Sequence, residues 1–276
     1  MLDRFIEQEE EVTNLIAEPD LVKRGVAEHY KKQFRKRNTK LEEMSEIWKE
    51  IYKPQKHIKE EWYMEVEENI KEKEWEEVLR ELKTGTAPGI SGISYTLIKR
   101  AGKKTQEIFR AFADLCLEEG EIPTKWKIAQ VYPIPKDVEW GYSLNNIRPI
   151  ALIETFRKVV TKVITKRLAK VFMEKEVLKE PNYAGLPRNS TEQPVHILNM
   201  IMKEAKEKNK KIWILLQDMK KAFDSVLLKS LELALQKVKI PRKTIKYILN
   251  LFHKRQLRII TAYRLTEKVT AEDEID

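Results

Sequence analysis

A chain of 276 residues, 42% apolar and 35% charged, has the length for one or two domains with a core and the solvated faces of long helices. One cysteine, Cys116, and four scattered histidines exclude a disulfide framework and a cysteine-rich zinc site. No apolar run reaches the length of a membrane span and the acidic stretch 1–11 does not read as a signal peptide, so the sequence predicts an intracellular protein of the cytoplasm or nucleus with no membrane partner.

The net charge of +9 is unevenly spread. Residues 1–83 hold 17 Lys and Arg against 22 Asp and Glu, a balance of −5, whereas residues 84–276 hold 36 against 22, a balance of +14. A basic excess of that size points to a polyanion, because each neutralised phosphate releases counterions. The bland alternative is a generally basic surface.

In chain order, residues 1–83 read as a linker-like region of amphipathic helices. One is expected to start with Asp20 as N-cap and to run through Val22, Val26 and Tyr30 to Phe34. A second covers Glu60 to Lys83, with Trp62, Val66, Ile70, Trp75, Val78 and Leu82 along one side. Residues 84–276 are assigned to a second unit. It opens on a Gly- and Pro-rich loop, Thr84 to Gly92, which lacks the ending of a P-loop. A helix over Ser94–Glu118 follows, then a strand over Ala129–Lys136 and a short extended piece at Ile147–Leu152. The next helix carries Phe156, Val159, Val160, Val163 and Ile164 at 3.6-residue spacing. Lys158, Lys162, Lys166 and Lys170 fall at successive i+4 steps on it, with Arg157 and Arg167 beside them. That basic stripe is either a solvated face or a nucleic-acid contact. Ser190 and Gln193 fit a capping box opening a helix through Ile197, Leu198, Ile201 and Ala205. The apolar run Ile212–Gln217 has strand length and ends on Asp218. Helices over Lys229–Val238 and Arg242–His253 and a hairpin through Gln256–Tyr263 and Thr266–Ala271 close the chain, giving an α+β fold.

The sharpest local feature is Trp213-Ile214-Leu215-Leu216-Gln217-Asp218-Met219-Lys220-Lys221-Ala222-Phe223-Asp224. A carboxylate at the exit of a buried strand needs a partner or a metal, and Mg²⁺ binds through one or two carboxylates plus substrate phosphates. The competing account is that Asp218 caps a turn and Phe223 packs in a core.

With this motif in view, five blocks in order make residues 83–276 resemble the N-terminal half of the reverse transcriptase domain of non-LTR retrotransposons. Thr86-Ala87-Pro88-Gly89-Ile90-Ser91-Gly92 resembles the N-terminal extension block. Trp126-Lys127 with Pro133-Ile134-Pro135-Lys136 resembles the first fingers block, and Arg148-Pro149-Ile150-Ala151-Leu152 with Lys158, Arg167 and Leu168 the second. Asn182 to Pro187 with Ser190-Thr191 resembles the block before the first palm strand, and Asp218 to Asp224 the first catalytic palm motif. The resemblance implies the fingers and part of the palm of a right-handed polymerase, preceded by a helical region.

Its roles carry over by position. Asp218 would be catalytic and hold Mg²⁺, with the Met219 carbonyl as a further metal ligand beside the dNTP. Phe223 would be the steric gate against a ribose 2′-OH, and Lys136 and Arg148 would clamp the triphosphate of the dNTP. Lys158, Lys162, Lys166, Arg167 and Lys170 would face nucleic acid. The implied partners are an RNA template, a DNA primer and dNTPs. Two departures stand out: the family has an acid where Ser91 stands and Gly where Asn189 stands. The Gln-Gly block and the paired aspartates that follow in the family are not in this sequence. Two-metal catalysis draws carboxylates from both motifs, so the chain is expected to be inactive alone. The alternatives are a non-catalytic RNA-binding module or one half of a split assembly with a separately encoded C-terminal half.

Overall fold

The computed structural model describes all residues except 10–11, 36–38, 137–139, 179–182, 186, 188–189, 220–221, 223–224 and 273–276. The chain opens with a β-hairpin, β1 (Phe5–Glu9) and β2 (Val12–Ile16), where the sequence suggested helix. Helix α1 (Pro19–Gln33) follows. Its N-cap is Glu18, whose carboxylate accepts from the backbone N–H groups of Asp20 and Leu21, so Asp20 sits in the first turn instead of capping it. A short α2 (Glu46–Ile51), a 3₁₀ stretch at Glu60–Val66 and α3 (Glu72–Arg80) complete the acidic region. The single helix expected over 60–83 is therefore interrupted at 67–71. Trp75, Val78 and Leu82 nevertheless bury together as the periodicity required.

Beyond the Gly-rich loop lie α4 (Tyr95–Arg100) and α5 (Lys103–Glu119). The sequence suggested one helix here. Ala101 and Gly102 instead take extended backbone, and Gly102 serves as the N-cap of α5. The apolar residues Leu97 and Ile108 in this stretch are exposed. Gly120 ends α5 in the left-handed conformation at φ +63°, where a side chain is strained.

Strands β3 (Ile128–Pro135) and β4 (Ile147–Leu152) pair antiparallel. Helix α6 (Thr155–Glu174) comes next, then α7 (Glu192–Glu207), α8 (Leu228–Lys237) and α9 (Arg242–Phe252). Helix α7 begins without a side-chain cap bond, so the capping box read from Ser190 and Gln193 does not form. The chain returns as β5 (Arg255–Thr261), β6 (Arg264–Leu265) and β7 (Val269–Ala271). β5 lies parallel to β3, giving the order β4-β3-β5-β6 with β7 also on β5. β5 pairs with β3 only over Ile128–Val131. The outer half of β3 has one neighbour fewer, which is how Pro133 and Pro135 are accommodated in it.

Two cores result. Behind the sheet, Val22, Val26 and Tyr30 of α1 and its C-cap Phe34 pack with Ala129, Val131, Ile147, Leu257 and Ile259. The other core gathers α3, α5, α6 and α9 around Trp75, Cys116, Phe156, Val159, Val163 and Tyr247. Both cores draw on residues from each side of position 83, so the charge boundary there is not a packing boundary. The architecture is mixed α and β with a largely helical N-terminal region.

One expectation fails outright. Residues 210–219 form no strand; they are irregular and exposed, with Trp213 at 94%. A β-strand is defined by a neighbour, and an apolar run without one has no reason to extend. Among the described residues no backbone group of 211–219 finds a backbone partner.

Candidate nucleic-acid and nucleotide site

The alternation of β3, β4 and β5 gives the sheet two unlike faces. Ala129, Val131, Leu257 and Ile259 point into the α1 core. The opposite face carries Gln130, Tyr132 and Ile134 from β3, Arg148 and Ile150 from β4, and Gln256 and Arg258 from β5. Cross-strand register places Tyr132 beside Ile150, Ile134 beside Arg148 and Gln130 beside both Leu152 and Arg258. Tyr132, Ile134, Arg148 and Ile150 are all exposed. An aromatic ring and aliphatic side chains flanked by guanidinium groups suit stacked bases and phosphates.

Lys136 continues the β3 side of this face one step beyond the ladder. Its backbone N–H donates to the Asn146 carbonyl at 2.9 Å and its Nζ to the Asn145 carbonyl at 3.0 Å. Lys136 and Arg148 are thus diagonal neighbours on one open face. Arg258 joins them from β5, its Nε donating to the Thr266 carbonyl at 3.1 Å. Sequence reasoning missed Arg258 and Tyr132. The alternation within each strand was visible, but the parallel pairing of β5 with β3 was not.

The Gly-rich loop is tied to the start of α6. Ser91 Oγ donates to Glu154 Oε1 at 2.6 Å, and Glu154 Oε1 also accepts from the Thr155 N–H at 3.1 Å. A carboxylate at position 91 would face the carboxylate of Glu154. Gly89 lies so close to this junction that a Cβ would sit 2.6 Å from Glu154 Cα and 2.7 Å from the Ile153 carbonyl. Among the residues around this junction, Arg157 is buried and donates to the carbonyls of Trp126 at 3.0 Å and Leu251 at 2.7 Å. Burial, with nearby Arg255 adding to it, pushes its pKa down to about 10, and it braces the junction of sheet and helices.

The basic stripe on α6 meets the acidic region. Lys162 Nζ lies 3.0 Å from Glu81, Lys166 Nζ 2.7 Å from Glu81, and Lys170 Nζ 2.7 Å from Glu65. Arg167 makes a two-pronged pair with Glu74 at 2.7 and 2.6 Å, and donates to the carbonyls of Val66 and Glu68 at 3.0 and 2.6 Å. Lys158 lies over the Tyr95 ring at 5.8 Å, and burial lowers its pKa. The negative and positive halves of the chain therefore neutralise each other along α6.

Asp218 and Met219 stand apart from this arrangement on the exposed irregular segment. Gln217 Nε2 reaches Met219 Sδ at 4.0 Å. Phe223 and Asp224 lie outside the described residues. Among the described residues no three His, Cys, Asp or Glu side chains gather where they could hold a metal. Asp218 is exposed there, and two-metal transfer requires paired carboxylates, so Asp218 by itself cannot stage that transfer.

Strands β4 and β5 and the outer end of β3 lie in a stretch whose class is defined by comparison: residues 134–270 match the family described as Reverse transcriptase (RNA-dependent DNA polymerase). The chain carries a reverse transcriptase domain over those residues, and the relatives it resembles are named as retrotransposon or transposon proteins. It is 29% identical over 164 residues to "Retrovirus-related Pol polyprotein from type-1 retrotransposable element R2" of Popillia japonica, covering 59% of this chain and 22% of that protein. It is 24% identical over 157 residues to "Probable RNA-directed DNA polymerase from transposon BS" of Drosophila melanogaster, covering 57% of this chain and 17% of that one. A second R2 Pol polyprotein, from Nasonia vitripennis, is 24% identical over 174 residues, 63% of this chain and 16% of the relative. The chain thus spans less than a quarter of the length of each of these curated relatives.

Proposed function

We propose that this polypeptide supplies the fingers and first catalytic aspartate of an RNA-directed DNA polymerase, working on an RNA template, a DNA primer and dNTPs inside the cell. The observation that carries the reading is the open face of the β4-β3-β5 sheet. It sets Lys136 and Arg148, both within the matched stretch, as diagonal neighbours, with Tyr132 on the same face just before that stretch. In this reading Arg148 and Lys136 hold triphosphate or backbone phosphate, and Tyr132 and Ile150 support a base. Asp218 would be the catalytic carboxylate and, with the Met219 carbonyl, would hold Mg²⁺, which would supply charge stabilisation for the transferring phosphates, and Phe223 would be the steric gate.

Alone, the 276-residue chain binds but does not polymerise. What supports this is Asp218 itself, exposed on an irregular segment where no group of three potential metal ligands gathers among the described residues. A binding module, or one half of a split assembly, is the form in which such a chain would act. The stripe residues Lys158, Lys162, Lys166, Arg167 and Lys170 take a secondary place in this proposal, because all but Lys158 already have carboxylate partners.

Binding of a primed RNA template measured against salt tests the reading. Arg148→Ala combined with Lys136→Ala should lower the slope of log affinity against log salt by roughly 0.7–0.9 for each phosphate that is no longer neutralised. An unchanged affinity and slope would remove the open face from the site.

A further inference from the structure

Residues 212–216, Ile-Trp-Ile-Leu-Leu, form an apolar run left in water, with Trp213, Leu215 and Leu216 at 94%, 89% and 85% exposure. Their backbone groups are equally free among the described residues. Such a run has the composition of a strand and the unpaired N–H and C=O groups of a sheet edge, the pattern that pairs with another chain. The residues that flank it say which partner fits. Lys210 and Lys211 precede the run and Gln217 and Asp218 follow it.

We propose that this segment pairs antiparallel with the same segment of a second copy of the chain, about a twofold axis at Ile214. In that register Ile212 faces Leu216, Trp213 faces Leu215, and Lys210 faces Asp218 twice over. Like pairs with like in polarity, and the charges at both ends are opposite. Neighbouring registers are worse. A shift of one keeps Lys211 against Asp218 but sets Ile212 against Gln217, and a shift of two sets Asp218 against Ile212 or Lys210 against Leu216. A parallel pairing sets lysine on lysine and aspartate on aspartate. The side-chain period of two puts Ile212, Ile214 and Leu216 on one face of the ribbon and Trp213 and Leu215 on the other. Helix α7, which leads into the segment through the turn at 208–209, leaves Ile197 and Ile201 exposed at helical spacing. That stripe is the kind of surface that covers one face of a ribbon. The self-pair occupies Asp218, so the dimer and a catalytic centre at Asp218 are mutually exclusive states.

The test is sedimentation equilibrium of the 276-residue protein without nucleic acid, from about 1 to 100 µM, a range that resolves micromolar association. A monomer–dimer equilibrium is expected. Ile214→Pro, which removes a ladder N–H at an exposed position, should weaken it at least about tenfold. Lys210→Asp and Asp218→Lys should each weaken the dimer, and the double variant should restore it. Monomer at every concentration would overturn the proposal. So would a dimer indifferent to Ile214→Pro, single reversals that the double does not rescue, or a segment captured only by a separately expressed C-terminal palm piece. Because no nucleic acid is present, the result stands apart from the success or failure of the open sheet face as a binding site.

Discussion

Replacing Arg167 with alanine should destabilise the protein by about 3 kcal/mol, the lower end of what breaking a buried ion pair costs. The figure follows from what is left behind. The Arg167 side chain is 9% exposed and that of Glu74 24%, so the orphaned carboxylate is partly reached by water and partly not. The Val66 carbonyl loses its donor in a half-buried place, while the carbonyl of Glu68 stays accessible to solvent. Arg167→Lys should recover little, since one ammonium cannot match both carboxylate oxygens and the carbonyls together. Lys162→Ala, which removes an exposed pair with Glu81, should cost at most about 1 kcal/mol. Urea unfolding monitored by tryptophan fluorescence measures all three, with Trp75 beside Glu74 in the buried core. A loss for Arg167→Ala below about 1 kcal/mol, no larger than that of an exposed pair, would refute the claim that this pair locks the acidic region onto α6.

Three further outcomes are expected. Replacing Lys162, Lys166 and Lys170 with alanine should leave the salt slope of RNA binding closer to wild type than Arg148→Ala with Lys136→Ala does; filter binding at several salt concentrations decides it. Gly89→Ala should cost about 1–3 kcal/mol in thermal or urea unfolding, because its Cβ meets backbone at Glu154 and Ile153 that cannot give way. Cys116 is buried and its thiol is pushed up to about 11 by burial, so it should resist alkylation at pH 8 in the folded protein and react only on unfolding, as mass spectrometry would show.

The helices and fingers strands were legible because their signals are local. Val159, Val160, Val163 and Ile164 advertise a buried helix face, and the alternation in β3 and β5 advertises a two-faced sheet. The N-terminal hairpin was missed because its strands pair only with each other and carry little apolar alternation. The stripe on α6 looked like a polyanion site because sequence shows a charge and not its partner. Glu65, Glu74, Glu77 and Glu81 were in plain view, yet nothing in their spacing says that they meet α6. The run at 212–217 was read as a strand from composition, which is a statement about what it can pair with and not about whether a partner is present. The motif at Asp218 was read through resemblance alone, and Phe223 and Asp224 lie outside the described residues.

The most direct test of the central claim is primer extension by the chain joined after Asp276 to the C-terminal polymerase segment of one of its relatives. The unfused protein should bind a primed RNA template without extending it. The fusion should extend it with dNTPs, Asp218→Asn should abolish extension while leaving template binding intact, and Phe223→Ala should admit ribonucleotides. Extension by the unfused chain, or full activity in the Asp218→Asn fusion, would contradict the account.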